Sequence, residues 1–435
     1  MISQQEFQTR REHLAQKLPP NSIAILPAAK AVIRNNDAQY PFRQNSNFYY
    51  LTGFEEPEAL LVITTNPDCR SILFNRTRNP AEEQWTGRRL GQEGAVTELG
   101  MHKAYAINKL KDELPNLLVD KSAIYYPMCK DADLENTIAQ ALNHVKNQAR
   151  KGLGAPEALC DLEPILSEMR LFKSPAEIAL MRHVASISVD AHKRAMRQCR
   201  QLTYEYELEA ELIYEFARRG CESVAYDCIV AGGENACVLH YTQNNKALQP
   251  GDLVLIDAGG EYQGYAADIT RTFPVNGRFS PEQRSLYDLV KRAQQAGIAE
   301  IRPGIAWNKV QQVIVQILTS GLCELGLLQG LVEELISREA YRPFYMHNSG
   351  HWLGLDVHDS GKYKINNAWR PFEPGMVLTV EPGLYIPADC STVEAPWRGI
   401  GIRIEDDVLV TSTGHEVLTA DLPVEIEEIE ALMRG

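Results

Sequence analysis

The sequence predicts two domains of mixed helix and strand that meet near residue 172. Three observations carry that expectation. Residues 1 to about 170 alternate helical stretches with apolar strand-like runs, ALLVITT at 59–65 and SAIYYP at 122–127. Ser174, Pro175 and Glu177 then supply a helix cap, a first-turn proline and a capping-box glutamate at the head of a long helix. Beyond it, LVLIDAGGEYQGYAADITRTF (253–273) reads as a hairpin whose two apolar strands are each interrupted by an aspartate.

Length and composition bound the rest. At 435 residues the chain can hold two or three domains with cores of their own. Its 44% hydrophobic and 23% charged residues are those of an ordinary globular protein. A net charge of −13 argues against a nucleic-acid partner, because phosphate binding needs a basic face. No run approaches the ~20 apolar residues of a membrane helix. The opening MISQQEFQTRREHLAQKL has no apolar signal core and suits a polar amphipathic helix, with Ser3 and Glu6 spaced as a capping box. Nine cysteines without a CxxC pair suit reduced thiols in a cytoplasm. The expectation is a soluble cytoplasmic protein without a membrane partner.

Each element follows from local chemistry. In the capped helix, Ile178, Met181, Val184 and Ile187 recur on one face. A second helix is expected from about Tyr204 to Arg219, closed by Gly220 in left-handed geometry. SPEQ at 280–283 repeats the cap signature, which fits either two similar halves or the recurrence of a common cap. For the hairpin, a turn at Tyr262 and Gln263 relieved by Gly264 pairs Glu261 with Gly264 and sets Asp257 opposite Asp268. Opposed residues share a face about 5 Å apart. Two ionised carboxylates that close repel unless one is protonated or a cation lies between them. The segment alone fits two unrelated turn-flanking aspartates better than it fits half of a metal site, so the rest of the chain must supply the other half.

Three later segments carry further polar residues. MHNSGHWLGLDVHD (346–359) holds His347, His351 and His358, three of the ten histidines. MVLTVEPGLYI (376–386) is a strand with Glu381 placed before Pro382 and Gly383. GIGIRIEDDVLV (399–410) alternates, so Arg403 and Glu405 share one face and Ile402 and Ile404 the other.

Taken in order, Asp257, Asp268, His351, Glu381 and Glu405 resemble the five ligands of the pita-bread metallopeptidases, the family of methionine aminopeptidase, prolidase, aminopeptidase P and creatinase. YPFRQNSNFYYLTGFEEPEALLVI (40–63), HWLGLDVHD and VEPGLYI bring the sequence nearest to the aminopeptidase P branch. The resemblance implies an α/β N-terminal domain over 1–172 and an α+β pita-bread (creatinase/aminopeptidase) catalytic domain over 173–435. It implies a hydrolase releasing the N-terminal residue from peptides with proline second, by attack of a metal-bridging hydroxide. Prolidase, which takes Xaa–Pro dipeptides, is the alternative.

The cofactors implied are two divalent metal ions, Mn2+ first, with Co2+ and Zn2+ as alternatives. Asp257 would chelate one, His351 with Glu381 the other, and Asp268 and Glu405 would bridge. Among the catalytic residues, Glu381 would accept the water proton, His358 would stabilise the oxyanion and His240 would contact the substrate near the scissile nitrogen. Arg403 would steady a bridging carboxylate. His347 opens the histidine motif, but Asn348 stands where the family usually has glycine; asparagine tolerates left-handed backbone, so the loop is expected to persist. Trp85, Trp352 and Tyr385 are equally candidates for a substrate pocket and for plain core. A homodimer or homotetramer is implied as well.

Overall fold

The structure, a computed structural model, describes residues 1–65 and 70–434. It divides into two compact units, Met1–Arg170 and Leu171–Gly435. No helix among the described residues is long and apolar enough to cross a membrane. The eight described cysteines are free thiols; the ninth, Cys69, lies outside the described residues.

In the first unit a six-stranded mixed sheet runs in the order Lys103–Ala106, Arg70–Asn75, Leu60–Thr64, Ser22–Pro27, Ala123–Tyr126, Ala158–Asp161. Its three central strands are antiparallel and the outer ones join in parallel. Parallel neighbours need crossovers. The helix Ala132–Lys146 provides one, and the short helices Pro80–Thr86 and Gly91–Thr97 another. Alternate strand residues Ile23, Ile25, Leu60, Val62, Ile72 and Phe74 form one core with Leu114, Leu118, Leu134, Ile138 and Val145. The first helix, Gln4–Lys17, is capped by Ser3, whose Oγ accepts the Glu6 amide at 3.2 Å; the Glu6 carboxylate pairs with Arg10 at 2.7 Å.

The second unit opens on the helix Pro175–Gln198. Its capping box is complete: Ser174 Oγ accepts the Glu177 amide at 3.3 Å and Glu177 Oε2 accepts the Ser174 amide at 2.9 Å. Met181, Val184 and Ile187 are buried and Ile178 is half-buried, as the periodicity predicts. The helix Glu205–Arg218 is followed by Gly220 at φ 89°. Ser280 and Gln283 cap Pro281–Ala299 in the same manner as Ser174 and Glu177. Against these helices lie short antiparallel groups. Ile229–Gly232, Leu253–Asp257 and Thr270–Pro274 form one; Val377–Val380, Asp406–Val410 and His415–Val417 form another; Gly383–Ile386 pairs with Ile400–Arg403. An isolated bridge between Thr270 and Glu405 joins the first group to the segment linking the other two, and one between Trp352 and Leu378 joins the histidine-bearing loop to the second.

The hairpin register differs from the expectation. Gln263 (φ 50°) and Gly264 (φ 77°) form the two-residue turn, closed by the pair Tyr262 and Tyr265. Both central residues need positive φ in the turn that matches strand twist, and Gly264 accepts it without steric cost. The ladder is therefore offset by two residues, so Asp257 faces Thr270 rather than Asp268. A slip of one would have turned Asp268 to the opposite face, but a slip of two keeps it on the same face as a diagonal neighbour. The pairing expectation fails while the shared face survives.

Between the two halves of this hairpin the backbones touch. A Cβ on Gly259 would lie 1.8 Å from the Ala267 carbonyl oxygen. Backbone cannot yield there as a flexible side chain could. Gly259→Ala is expected to destabilise the protein by at least about 1–3 kcal/mol, read as a lower urea midpoint at constant slope.

Candidate active site

All the ligand-type residues of the sequence reading converge inside the second unit, the four carboxylates from strand ends and His351 from a loop. Asp257 closes Leu253–Asp257, and Asp268 sits just before Thr270–Pro274. Glu381 follows Val377–Val380, and Glu405 stands between Ile400–Arg403 and Asp406–Val410. Asp257, Asp268 and Glu405 are buried at 8%, 5% and 2% exposure, while Glu381 is half-buried and open to the cleft. His351 comes from the loop that Gly350 presses onto the neighbouring strand, where a Cβ would meet the Thr379 carbonyl oxygen at 2.1 Å.

Hydrogen bonds aim each group. The Glu405 amide donates to the Thr270 carbonyl at 3.0 Å, and Thr270 Oγ1 donates to Glu405 Oε2 at 2.6 Å. The His351 amide donates to Thr379 Oγ1 at 3.1 Å, and the Glu381 amide to the Ser349 carbonyl at 2.9 Å. His351 Nδ1 bonds the Trp352 carbonyl at 3.0 Å, which leaves Nε2 facing Asp268 at 3.3 Å and Glu381 at 3.7 Å. This arrangement is how a protein selects the tautomer of a metal-binding imidazole. Tyr226 Oη lies 2.6 Å from Asp257 Oδ1 and 2.6 Å from Asp268 Oδ1. A phenol carries one proton for two carboxylates.

The electrostatics follow from burial. Burial raises the Glu405 carboxyl far above its ordinary range, and the charges of Asp268, Glu381 and Asp257 add to it. Glu381 is pushed up to about 7, first by burial, against the opposing charge of His351. Burial also raises Asp257, although Arg403 works against it. For Asp268 the burial effect is outweighed by the His351 bond, so its pKa is lowered. His351 rises to about 9 because Asp268 and Glu381 overcome burial. Carboxylates so placed take up protons unless a cation shares their space. Asp268, His351 and Glu405 each offer a ligand atom, all within 4.8 Å of one another. Oxygen donors with one imidazole suit divalent manganese, cobalt or zinc, so the residues present fit the metal centre.

A cleft of about 560 Å³ opens onto this cluster, lined also by His240, His347, His358 and Tyr363. His358 packs edge-to-face on His351 with ring centroids 4.4 Å apart, and burial lowers its pKa. His347 Nε2 bonds Tyr385 Oη at 2.8 Å, its Nδ1 lies 3.6 Å from Glu381, and burial lowers its pKa to about 4. His240 is exposed at the cleft.

Several expectations need correction. Arg403 donates directly to Asp257 Oδ2 at 2.6 Å and to Tyr385 Oη at 3.0 Å, and reaches Glu405 only through Thr270 Oγ1 at 3.2 Å. Asn348 does not use left-handed backbone; its carbonyl bonds His347 Nδ1 at 2.7 Å and so orients the ring. Trp352 is fully buried, stacked on Tyr363 and packed against Trp307, and belongs to the core. Tyr385 is fully buried behind His347, where it bonds the site rather than lining the cleft. Trp85 is 89% exposed on a short helix of the first unit and is absent from the cleft lining.

The sequence reading missed Tyr226, Thr270, Thr379 and Asp407, whose Oδ2 accepts the Asp268 amide at 3.2 Å. It also missed Glu205, fully buried, which accepts from the Gly232 and Lys246 amides, Asn235 and Tyr241, and so braces the loop that carries His240. None of these has a motif. The only available signal was a glutamate in the first turn of a helix, which reads as an ordinary dipole partner.

Strand ends that aim four carboxylates, and a loop that adds an imidazole, into one cleft define a metallohydrolase. Residues 179–412 match the model of metallopeptidase family M24, and residues 7–125 match the aminopeptidase P N-terminal domain. The chain belongs to family M24 and has its pita-bread catalytic fold. It is 49% identical over 434 residues to the Xaa-Pro aminopeptidase of Escherichia coli (strain K12), covering 99% of this chain and 98% of the relative. It is 33% identical over 446 residues to Xaa-Pro aminopeptidase 3 of Homo sapiens, with 99% and 86% covered. The structure of Pseudomonas aeruginosa aminopeptidase PepP superposes with a TM-score of 0.98 at 49% identity, covering 100% of this chain and 98% of that one. Escherichia coli aminopeptidase P with the inhibitor Pro-Leu gives 0.97 at 49% identity and the same coverage.

Glu381, Glu405 and His351 all have raised pKa values. Each must shed its proton to bind a cation, so affinity rises with pH through that window and falls on acidification. The apparent Kd for Mn2+ is expected to weaken by at least about tenfold per unit below about pH 7, one displaced proton being the minimum. Calorimetric titration across that range checks it, and a Kd indifferent to pH removes these residues from the site.

Proposed function

We propose that this chain is a metal-dependent Xaa-Pro aminopeptidase, which releases the first residue from peptides with proline second. The observation that carries this is the convergence of Asp257, Asp268, His351, Glu381 and Glu405 on one cleft, in a chain with an aminopeptidase P-type N-terminal domain. Residues 1–172 form that domain and 173–435 the catalytic one. Asp257 would hold one cation, His351 and Glu381 the other, and Asp268 and Glu405 would be shared by both, with Mn2+ as the first choice. Four carboxylates balance the charge of two divalent cations. The described cysteines, all free, suit a cytoplasmic home; the assembly is a homodimer or homotetramer.

When bound, the cations would lower the pKa of a water toward neutrality and polarise the scissile carbonyl. The chain's own residues do the rest. Glu381, 3.6 Å from His347 and 3.7 Å from His351, would accept the proton of the attacking water and return it to the proline nitrogen as the C–N bond breaks. His358, whose pKa is lowered, is a neutral donor for the oxyanion. His240, exposed at the cleft, meets the substrate near the scissile nitrogen, and His347, held by Tyr385 and Asn348, faces Glu381. Arg403 fixes Asp257. The bond before proline is a tertiary amide with no N–H to donate, so a site that grips the carbonyl and the free amine has no need of backbone pairing.

The first residue is expected to leave from tripeptides and longer chains with proline second; cleavage confined to Xaa–Pro dipeptides would make the protein a prolidase. Asp268→Asn removes a bridging charge and is expected to abolish most turnover while the protein still melts cooperatively. His351→Ala should lose metal and rate together. His358→Ala should keep its metal, measured by elemental analysis, and lose about 100- to 1000-fold in kcat. Loss of metal in both histidine variants would move His358 among the ligands.

A further inference from the structure

Lys173 and Asp359 form an ion pair at 3.1 Å in which each side chain is 1% exposed. Neither has a part in the chemistry proposed above. Stability alone is a weak reason to keep such a pair, since apolar residues of similar volume often serve as well or better. Its surroundings suggest another reason. The Lys173 amide is anchored on the Gly375 carbonyl at 2.8 Å, so the cation is held from a fixed piece of backbone.

Asp359 directly follows His358. Its amide donates to the Trp352 carbonyl at 2.9 Å, the same oxygen that His351 Nδ1 bonds at 3.0 Å. One carbonyl thus sets both the ring of the ligand histidine and the end of the loop that carries the second histidine. The loop between is closed down on the ion pair: a Cβ on Gly354 would stand 2.2 Å from Asp359 Oδ2 and 3.0 Å from Lys173 Cε.

We propose that Lys173 is a positioning residue for the reaction. By clamping the Asp359 carboxylate it locks the 352–359 loop, and with it the distance and angle between His351 and His358. This rests on the roles given above to those two histidines. A purely structural pair would stabilise the fold and leave turnover per folded molecule unchanged. A clamp on the loop controls where an oxyanion donor stands relative to the metal centre, and small displacements there cost rate.

The single variant Lys173→Met strands a buried carboxylate, so loss of stability would mask the effect on rate. The double variant Lys173→Met with Asp359→Leu removes both charges at similar volume. It is expected to melt near the wild-type temperature with metal content unchanged and KM for an Xaa–Pro–Xaa tripeptide within about twofold, while kcat falls about 10- to 100-fold. Wild-type kcat in that variant overturns the proposal. If the double variant does not fold, Asp359→Asn keeps the shape and the amide bond to Trp352: a lowered kcat with full metal supports the clamp, and an unchanged kcat overturns it. His358→Ala measured alongside separates the two claims. Wild-type turnover there removes the role of His358 itself, whereas a slow His358→Ala beside a fast double variant removes only Lys173.

Discussion

Four carboxylates in one pocket are the constraint around which the second unit is arranged. Ionised and unpaired, they would repel strongly in a low-dielectric interior. The fold meets that repulsion with fixed positive charge and donors: Arg403 on Asp257, His351 on Asp268, Thr270 on Glu405, and the Tyr226 hydroxyl between the two aspartates. These partners leave several pKa values raised. The remaining negative charge is what a divalent cation would neutralise, so the electrostatic cost and the proposed function have one origin.

Holding such groups within ligand distance of one another needs backbones closer than side chains normally allow. Gly259 and Gly350 stand where a Cβ would strike a carbonyl oxygen of the neighbouring segment. The two approaches bring Asp268 and His351 against strands that carry other residues of the site. Thr270 and Thr379 serve the same end, each with its hydroxyl turned to a site residue and its backbone to the ladder. Packing density, rather than any long-range field, makes the site a single rigid object.

Much of this was legible along the chain. Cap signatures at Ser174 and Ser280, the apolar period of the first long helix and the left-handed Gly220 are set by neighbours within four residues, so local chemistry decided them. No carboxylate declared itself alone; the order Asp257, Asp268, His351, Glu381, Glu405 along the chain is what made the set legible. The hairpin shows the limit. Reading the turn one residue early displaced the ladder by two, and only the period-two alternation of a strand kept both aspartates on the correct face. Trp352 and Tyr385 were ambiguous because an aromatic residue beside a ligand reads alike whether it lines a cleft or fills the layer behind it.

By itself the sequence determined which residues could act as ligands, where the principal helices of the second unit begin, and that strands would present alternate residues to one side. These properties depend on residue type and on spacings of two to four. Only the tertiary structure decided who meets whom: Arg403 with Asp257 across 146 positions, Thr270 with Glu405 across 135, Lys173 with Asp359 across 186. Those pairings have no local signature. They form because burying the apolar faces of separate strands brings their ends together, and a polar group at such an end takes whichever partner the packing sets beside it.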